Sequence, residues 1–236
     1  MQLFAQTHQG LKRPSNQDRH LLLELPGGRA LPAVADGMGG MAGGEVAAQM
    51  AVDLLAQSMD PPPQDHPALG ELFARICRQV HQRAQADPEL EGMGTTLTAV
   101  LAGPRRVDWA HVGDSRLYRW RRKRLEQVTR DHTAAAFMVE EGMIKAEDAA
   151  GHPARHMLFD CVGCGDCTPD TGWFQPGPGE LLLLTSDGLH GKAAPGDMER
   201  VLASGESLPQ RLQGLVELAL AAGGGDNITV VGLELS

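Results

Sequence analysis

Short apolar runs separated by turn residues divide much of the chain into predicted strands. The runs are a few residues long and rich in Leu, Val, Ala and Thr, which is typical of strands. The predicted strands are 3–8, 20–25, 30–34, 92–103, 106–113, 116–120, 124–129, 173–175, 180–186 and 227–235. The strands 116–120 and 124–129 enclose a three-residue turn and therefore predict a hairpin.

Three longer segments have apolar residues at helical spacing, at 44–59, 68–86 and 205–222. The proline-rich run 61–67 separates the first two, and Ser207 is a plausible N-cap of the third. Because strands and helices do not alternate one by one, a mainly antiparallel α+β layered fold is favoured. We found neither a repeat nor a long linker, so we expect one domain over 1–236, with the irregular stretch around 133–170 forming a mobile flap.

The composition narrows the class of protein. Hydrophobic residues make up 42% and charged residues 22%, as in ordinary soluble domains. The net charge of −9 argues against nucleic acid as the main partner, because binding phosphate backbones needs a basic surface. The N-terminus lacks a signal-peptide pattern, and no apolar run approaches the length of a membrane span. We therefore expect a cytoplasmic protein that does not contact membranes.

Five aspartates stand at the ends of predicted strands or in the turns beside them, most of them next to glycine. They are Asp18, Asp36, Asp114, Asp187 and Asp226. A single Asp-Gly pair is a common turn, but five aspartates at strand ends are difficult to explain as turns. Glycine lets the backbone approach closely, and carboxylate and carbonyl oxygens are the ligands that Mg²⁺ and Mn²⁺ prefer.

This set is suited to chemistry on phosphate. Two divalent cations about 4 Å apart can activate a water and neutralise phosphate oxygens. Four of the aspartates, together with the Gly37 carbonyl, would supply such a site: Asp18, Asp36, Asp187 and Asp226. Arg13 lies five residues before Asp18, and its planar guanidinium could bind a substrate phosphate in a bidentate manner.

Six runs carry a resemblance to a known family. In chain order they are RPSNQD, VADGMGG, GTTLTAV, HVGDSR, LTSDGL and GDNITVV, spanning residues 13–231. The chain thereby resembles bacterial metal-dependent serine/threonine phosphatases of type 2C. The resemblance implies a four-layer αββα sandwich, in which helices flank two central antiparallel β-sheets and the metals lie in a cleft at one end. It also implies that a metal-bridged water hydrolyses phosphoserine or phosphothreonine directly, without a phosphoenzyme.

The resemblance further implies a role for each matching residue. Asp36 would bridge two Mn²⁺ or Mg²⁺ ions and Gly37 would offer its carbonyl to one of them. Asp187 and Asp226 would bind the first ion, and Asp18 would hold waters of the second. Asp114, with Asp187, would bind a third, weaker ion, and Arg13 would hold the phosphate. Many relatives have His where this chain has Met41, whose thioether cannot donate a proton.

The expected partners are phosphorylated proteins, together with a cognate Ser/Thr kinase that the enzyme opposes, and we expect a monomer. Two alternatives stay open. One is a small-molecule phosphohydrolase on the same fold, and the other is a catalytically inactive, regulatory phosphoprotein-binding domain. Inactive members usually lose metal aspartates, and this chain retains all five.

Cys161, Cys164 and Cys167 form a cluster with two residues between successive members. One interpretation is a zinc site completed by His156 or His152, although structural zinc usually has four ligands in paired motifs. A second is a redox-sensitive group, and a third is simply small residues in a flap. Since three of the four cysteines are bunched, we expect no disulfide framework of the kind found in extracellular proteins.

Overall fold

The computed structural model describes residues 1–39, 43–149 and 151–235. Met41, the position that differs from many relatives, lies outside these residues. None of the described helices combines the length and the apolar composition that a membrane span requires.

Two five-stranded antiparallel sheets form the centre of the molecule. The described strands are β1 Gln2–His8, β2 Arg19–Leu25, β3 Arg29–Ala35, β4 Gly37–Met38, β5 Gly94–Thr95, β6 Leu97–Ala102, β7 Val107–Val112, β8 Arg116–Arg121, β9 Arg124–Gln127, β10 Asp170–Phe174, β11 Leu181–Thr185 and β12 Ile228–Glu234. One sheet has the order β1-β12-β11-β8-β9 and the other β10-β7-β6-β3-β2. The short strands β4 and β5 form a separate antiparallel pair.

Helices cover the outer face of each sheet. The described helices are α1 Gly43–Gln57, α2 His66–Ala86, α3 Ala134–Glu140, α4 Ala146–Ala149, α5 Asp187–His190, α6 Pro195–Leu202 and α7 Leu208–Ala221, with short 3-10 turns at Pro88–Leu90 and Pro153–His156. The pattern predicted α1, α2 and α7, and Ser207 is the N-cap residue of α7 as expected. It missed α3, α4, α5 and α6, because each is too short to show a helical period clearly.

The buried apolar side chains form three groups, and these lie between four layers of helices and sheets. Helices α1 and α2 pack on one sheet, α6 and α7 pack on the other, and a third group of buried side chains fills the space between the sheets. In β11, Leu181 and Leu183 face the helices while Leu182 and Leu184 face the opposite sheet. A strand that is buried on both faces reads as a continuous apolar run. The αββα sandwich and the α+β class are therefore confirmed.

The hairpin predicted around 121–123 is present as β8 and β9. Its turn residues Arg122 and Lys123 have φ of 51° and 59°. Positive φ at both central positions matches the right-handed twist of the flanking strands. The hairpin therefore forms although neither position is glycine.

The segment between β9 and β10 is irregular, as the pattern indicated, and contains α3, α4 and the 3-10 turn Pro153–His156. Few ladder bonds hold it: the Ala134 N–H donates to the Met157 carbonyl at 2.8 Å, and the Phe159 N–H donates to the His132 carbonyl at 3.0 Å. Four exposed large apolar side chains lie in it: Phe137, Met143, Met157 and Phe159.

The cysteines differ from the sequence-based expectation. All four are paired, Cys77 of α2 with Cys167 and Cys161 with Cys164. The first pair joins residues 90 positions apart. The expectation that no disulfide framework exists was therefore wrong. The sequence could not reveal the long-range pair, because Cys77 stands alone in an ordinary amphipathic helix.

Candidate active site

A cleft of about 630 Å³ opens where the ends of both sheets meet. Six of the seven predicted site residues line it: Arg13, Asp36, Gly37, Asp114, Asp187 and Asp226. The seventh, Asp18, is 3% exposed and lies behind the cleft wall, where its charge acts on Asp36. Residues up to 213 positions apart therefore meet at one site.

Asp36 follows the last residue of β3 and is fixed through its backbone. Its N–H donates to Thr96 Oγ1 at 2.9 Å, and its carbonyl accepts from the Thr96 N–H and the Thr95 hydroxyl, each at 2.9 Å. These three bonds occupy the main chain and leave the Asp36 carboxylate to face the cleft.

Gly37 is in close contact with the start of α1. A Cβ at Gly37 would lie 2.2 Å from the Gly44 carbonyl oxygen and 2.7 Å from that of Gln17. No side chain fits there, so glycine is required by the approach of two backbones and not by an unusual φ. The same approach holds the Asp36–Gly37 peptide beside the other carboxylates.

Asp18 is held from the opposite sheet. The Ser186 hydroxyl donates to Asp18 Oδ2 at 2.7 Å and accepts from the Thr229 N–H at 2.9 Å. The other carboxylate oxygen, Oδ1, is buried and has no hydrogen-bond partner. A buried carboxylate oxygen without a partner is costly, and it is the type of atom that binds a hard cation or its water.

Asp187 begins α5, two residues after the end of β11, and Asp114 lies two residues after the end of β7. Ligand atoms of Asp114, Asp187 and His156 all lie within 4.8 Å of one another. His156 Nδ1 is 3.5 Å from Asp187 Oδ2. His156 comes from the 3-10 turn of the segment between β9 and β10, so this segment reaches into the cleft.

Asp226, the remaining candidate metal ligand, forms an ion pair with Arg13, the candidate phosphate-binding residue. Arg13 Nη2 donates to Asp226 Oδ2 at 2.8 Å. This hydrogen bond is the main reason why the pKa of Arg13 is raised. Half of the Arg13 side chain is exposed, so its guanidinium also faces solvent in the cleft.

Asn227 fixes the loop that carries Arg13. Its Nδ2 donates to the carbonyls of Gln9 and Ser15, each at 2.8 Å, and its Oδ1 accepts from the Gln17 N–H at 2.9 Å. A single side chain thus ties the loop between β1 and β2 to the start of β12. Asn227 lies inside the GDNITVV run, but no pattern in the sequence marks it as the residue that fixes this loop.

Burial and mutual repulsion dominate the electrostatics. Burial raises the pKa of Asp18 to about 6 and, together with the charge of Asp187, raises that of Asp114 to about 7. Burial and then the charge of Asp18 raise the pKa of Asp36 well above its ordinary value. Burial acts in the same direction on Asp187, but its contact with His156 and the nearby imidazoles lower its pKa. Carboxyl groups this close favour protons or cations between them.

The donor set fits divalent manganese or magnesium. It consists of carboxylate oxygens and a carbonyl, with a buried oxygen on Asp18 that lacks a partner. Hard cations of this kind bind oxygen ligands and neutralise clustered carboxylates. The geometry can therefore hold cations and place a phosphate between them and a guanidinium.

The structure separates the histidines from the cysteines. His156 contacts Asp187, and His152 Nδ1 accepts from the Ala154 N–H at 3.1 Å within the 3-10 turn. Among the described residues, neither histidine groups with cysteines as a zinc site would require, and the cysteines pair with one another. No local signal marks His156 as a neighbour of Asp187, because only the folding of the segment brings it there.

Comparison with known proteins finds similarity to a protein phosphatase family and to individual protein phosphatases. The sequence profile of the family "Protein phosphatase 2C" matches residues 7–214. The serine/threonine protein phosphatase PstP of Mycobacterium tuberculosis is 37% identical over 234 residues, which cover 96% of this chain and 43% of PstP. The protein phosphatase PhpP of Streptococcus pneumoniae is 34% identical over 236 residues, 98% of this chain and 96% of PhpP. The chain therefore spans less than half the length of PstP and nearly all of PhpP.

Solved structures share the fold. The catalytic domain of PstP in complex with two manganese ions superposes with a TM-score of 0.87 at 34% identity, covering 100% of this chain and 98% of that domain.

Proposed function

The chain belongs to the protein phosphatase 2C family, and from this premise we propose that it hydrolyses phosphoserine and phosphothreonine in proteins. The observation that carries the proposal is the convergence of five aspartates and Arg13 on one cleft. Nothing but tertiary structure brings these residues together, and a set of repelling carboxylates without a cation would destabilise the fold.

Asp36 would bridge two Mn²⁺ or Mg²⁺ ions, with the Gly37 carbonyl on one of them. Asp187 and Asp226 would bind the first ion, Asp18 would hold waters of the second, and Asp114 with Asp187 would bind a third. Ions bound there would supply an activated water and neutralise the phosphoryl oxygens. The support for these assignments is the position of each carboxylate in or behind the same cleft.

Arg13 would bind the substrate phosphate. Its guanidinium now pairs with Asp226, and half of the side chain is exposed. Asp226 would hold Arg13 less strongly with a cation bound to its carboxylate, and the guanidinium would then be free for bidentate contact with phosphate oxygens. Asn227 would position the loop that carries Arg13 and would not contact substrate.

The proposed substrates are phosphoproteins made by a cognate Ser/Thr kinase. We place the enzyme in the cytoplasm as a monomer built from one domain, with the segment 133–170 as a flap over the cleft. His156, which belongs to this segment and contacts Asp187, supports its location at the cleft.

The test is an assay of the purified protein on a phosphothreonine peptide, with Mn²⁺ or with a chelator. Activity that requires Mn²⁺ and is lost in Asp187→Asn supports the proposal. Asp53→Asn is the matched control, since Asp53 is an exposed acid on α1. Faster turnover of sugar phosphates than of the peptide would favour a small-molecule phosphohydrolase. Binding of the peptide without turnover would favour the regulatory alternative.

A further inference from the structure

The cysteine loop, which we define as residues 158–168, holds three of the four cysteines. Cys164 is exposed, whereas its partner Cys161 is 2% exposed. The second pair differs, because Cys77 is fully buried in α2 and Cys167 is partly buried against the same core. A thiol from solvent can therefore reach one sulfur of the Cys161–Cys164 pair directly, while Cys77 is shielded.

Several contacts attach the cysteine loop to its neighbours. The Val162 N–H donates to the Thr95 carbonyl and the Thr95 N–H donates to the Val162 carbonyl, both at 2.9 Å. His81 Nδ1 lies 3.0 Å from the Gly163 carbonyl oxygen. The Thr168 N–H donates to Asp160 Oδ2 at 2.8 Å and closes the loop. The loop therefore rests on both α2 and β5.

The same contacts lead to the cleft. Thr95 is paired with Gly37, and its hydroxyl donates to the Asp36 carbonyl at 2.9 Å. A Cβ at Gly94 would lie 3.4 Å from Cys161 Sγ and 3.3 Å from the Cε of Met38, so Gly94 lies between these two side chains. Met38 lines the cleft, and so does Leu158, the first residue of the cysteine loop.

We propose that Cys161 and Cys164 form a redox modification site whose reactant is a small dithiol or a dithiol protein. With the disulfide formed, the loop holds Leu158 and the neighbouring His156 against the cleft. With the disulfide reduced, the loop is released at Cys164 and peptide substrates gain access. The activity part of this proposal rests on the proposed function, whereas the thiol chemistry does not.

The chemistry is an ordinary thiol–disulfide exchange. A thiolate of the reductant attacks Cys164 Sγ, the Cys161–Cys164 bond breaks, and Cys161 leaves as a thiolate that takes up a proton. The second thiolate of the reductant then attacks the reductant's sulfur in the mixed disulfide, and Cys164 leaves as a thiolate that takes up a proton. Two electrons and two protons pass to the protein, and the reductant becomes a disulfide. The reverse reaction with an oxidised dithiol restores the bond.

Local geometry permits both states. Gly163 has φ of +103° and Gly165 of +121°, conformations that glycine adopts without strain. The loop can thus make the tight bend that brings together two sulfurs whose residues are three positions apart in sequence, and it retains its bonds to Thr95 when the sulfurs separate. The change involves the loop and the neighbouring His156 only, because the anchors of the loop on α2 and β5 do not depend on the Cys161–Cys164 bond.

The first test equilibrates the wild type in buffers of reduced and oxidised dithiothreitol and maps free thiols by alkylation and mass spectrometry. We expect Cys161 and Cys164 to become alkylated at less reducing conditions than Cys77. Hydrogen exchange in 158–168 should be faster in the reduced form. Alkylation of all four cysteines in a single step, or unchanged exchange, would overturn the proposal.

The second test measures turnover of a phosphothreonine peptide and of p-nitrophenyl phosphate with saturating Mn²⁺. We expect the oxidised form to have about tenfold lower kcat/KM for the peptide, since displacing site elements by an ångström can cost up to about 100-fold. The small substrate should change less. Equal or higher peptide kcat/KM in the oxidised form would overturn the redox proposal alone. No turnover by either form with Mn²⁺ bound would instead overturn the proposed function.

Two variants separate the pairs. Cys164→Ser, at an exposed position, should behave like the reduced form in every buffer. Cys167→Ser leaves the Cys161–Cys164 pair intact and should retain the redox response. One zinc per chain that is lost in Cys164→Ser would show a metal site and overturn the proposal.

Discussion

The strand ends that carry the aspartates and the segment that faces them are held in place by different means. Asp36 and Asp187 follow strands whose side chains are buried in the layers of the sandwich. Residues 131–169 have short helices, few ladder bonds and several exposed apolar side chains, and are joined to α2 through Cys77–Cys167. Rigid elements position chemistry precisely enough for cations, whereas weakly held segments can move. The comparison contrasts rigid strand ends that would hold cations with a weakly held segment, which we propose is an adjustable cover of the cleft.

The largest expected effect concerns the fixed region. Asp36→Asn removes an anionic oxygen from the centre of the carboxylate cluster, and cation catalysis is worth several kcal/mol. Since each 1.4 kcal/mol is tenfold, we expect kcat to fall about 10³-fold or more. Calorimetry should show weaker Mn²⁺ binding in parallel. Asp53→Asn serves as control, and near-normal activity of Asp36→Asn at the same Mn²⁺ concentration would remove Asp36 from the site.

The second effect concerns the cover. Cys77–Cys167 closes a loop of 90 residues in sequence separation, for which the chain-entropy account gives about 4.6 kcal/mol of stability. Full reduction should lower the free energy of unfolding by about that amount in urea titrations. The Cys164→Ser variant should lose far less, because its pair closes a loop of separation 3. An equal loss in both cases would contradict the assignment of the long-range pair.

The third effect is at the boundary between the two regions. Arg13→Ala should raise KM and lower kcat/KM about 10- to 100-fold, since truncating a charged donor costs about 1.5–3 kcal/mol. Mn²⁺ affinity should stay close to that of the wild type, because Arg13 is proposed to hold phosphate. Arg200→Ala, which removes an exposed surface ion pair, is the control. A kcat/KM equal to that of the wild type would exclude Arg13 from phosphate binding.

The smallest effect is a dependence of stability on pH. The folded-state pKa values of Asp18 and Asp114, about 6 and 7, lie above the ordinary 3.8. Their contribution to stability is present below the ordinary value and is lost as pH rises through 6 and 7. Mn²⁺ bound at these carboxyl groups would displace their protons, so we expect its stabilising effect to grow over the same range.

The measurement is the unfolding temperature with Mn²⁺ and with chelator at about pH 5.5 and about pH 7.5. We expect the difference between the two conditions to be larger at the higher pH. A difference that shrinks with rising pH would mean that protons do not compete with Mn²⁺ for these carboxyls.

Sequence reasoning recovered much of the fold for a local reason. The continuous apolar run of β11 and the helical spacing of α1 are set by which faces are buried, and burial leaves a period in the sequence. The same logic failed for α6, where Met198 and Leu202 are the only fully enclosed apolar positions in eight residues. Too few turns were available to display a period.

The candidate residues of the cleft were also accessible from sequence, because strand ends and Asp-Gly turns are local features. The roles of Asn227 and His156, by contrast, could not be predicted from the sequence. Asn227 binds three backbone groups of a single loop, each more than 200 positions away in sequence. One of the three interpretations of the cysteine cluster places His156 or His152 beside the cysteines as a zinc ligand, whereas His156 lies against Asp187.

The sequence by itself determined the strand and helix pattern and the aspartates at strand ends, because each is set by short-range geometry and burial. Tertiary structure alone decided that Arg13 pairs with Asp226, that Cys77 pairs with Cys167 and that Asp18 keeps a buried oxygen without a partner. The physical reason is that hydrogen bonds, disulfides and desolvation depend on distances between atoms, and residues far apart in the chain acquire those distances only when the layers pack.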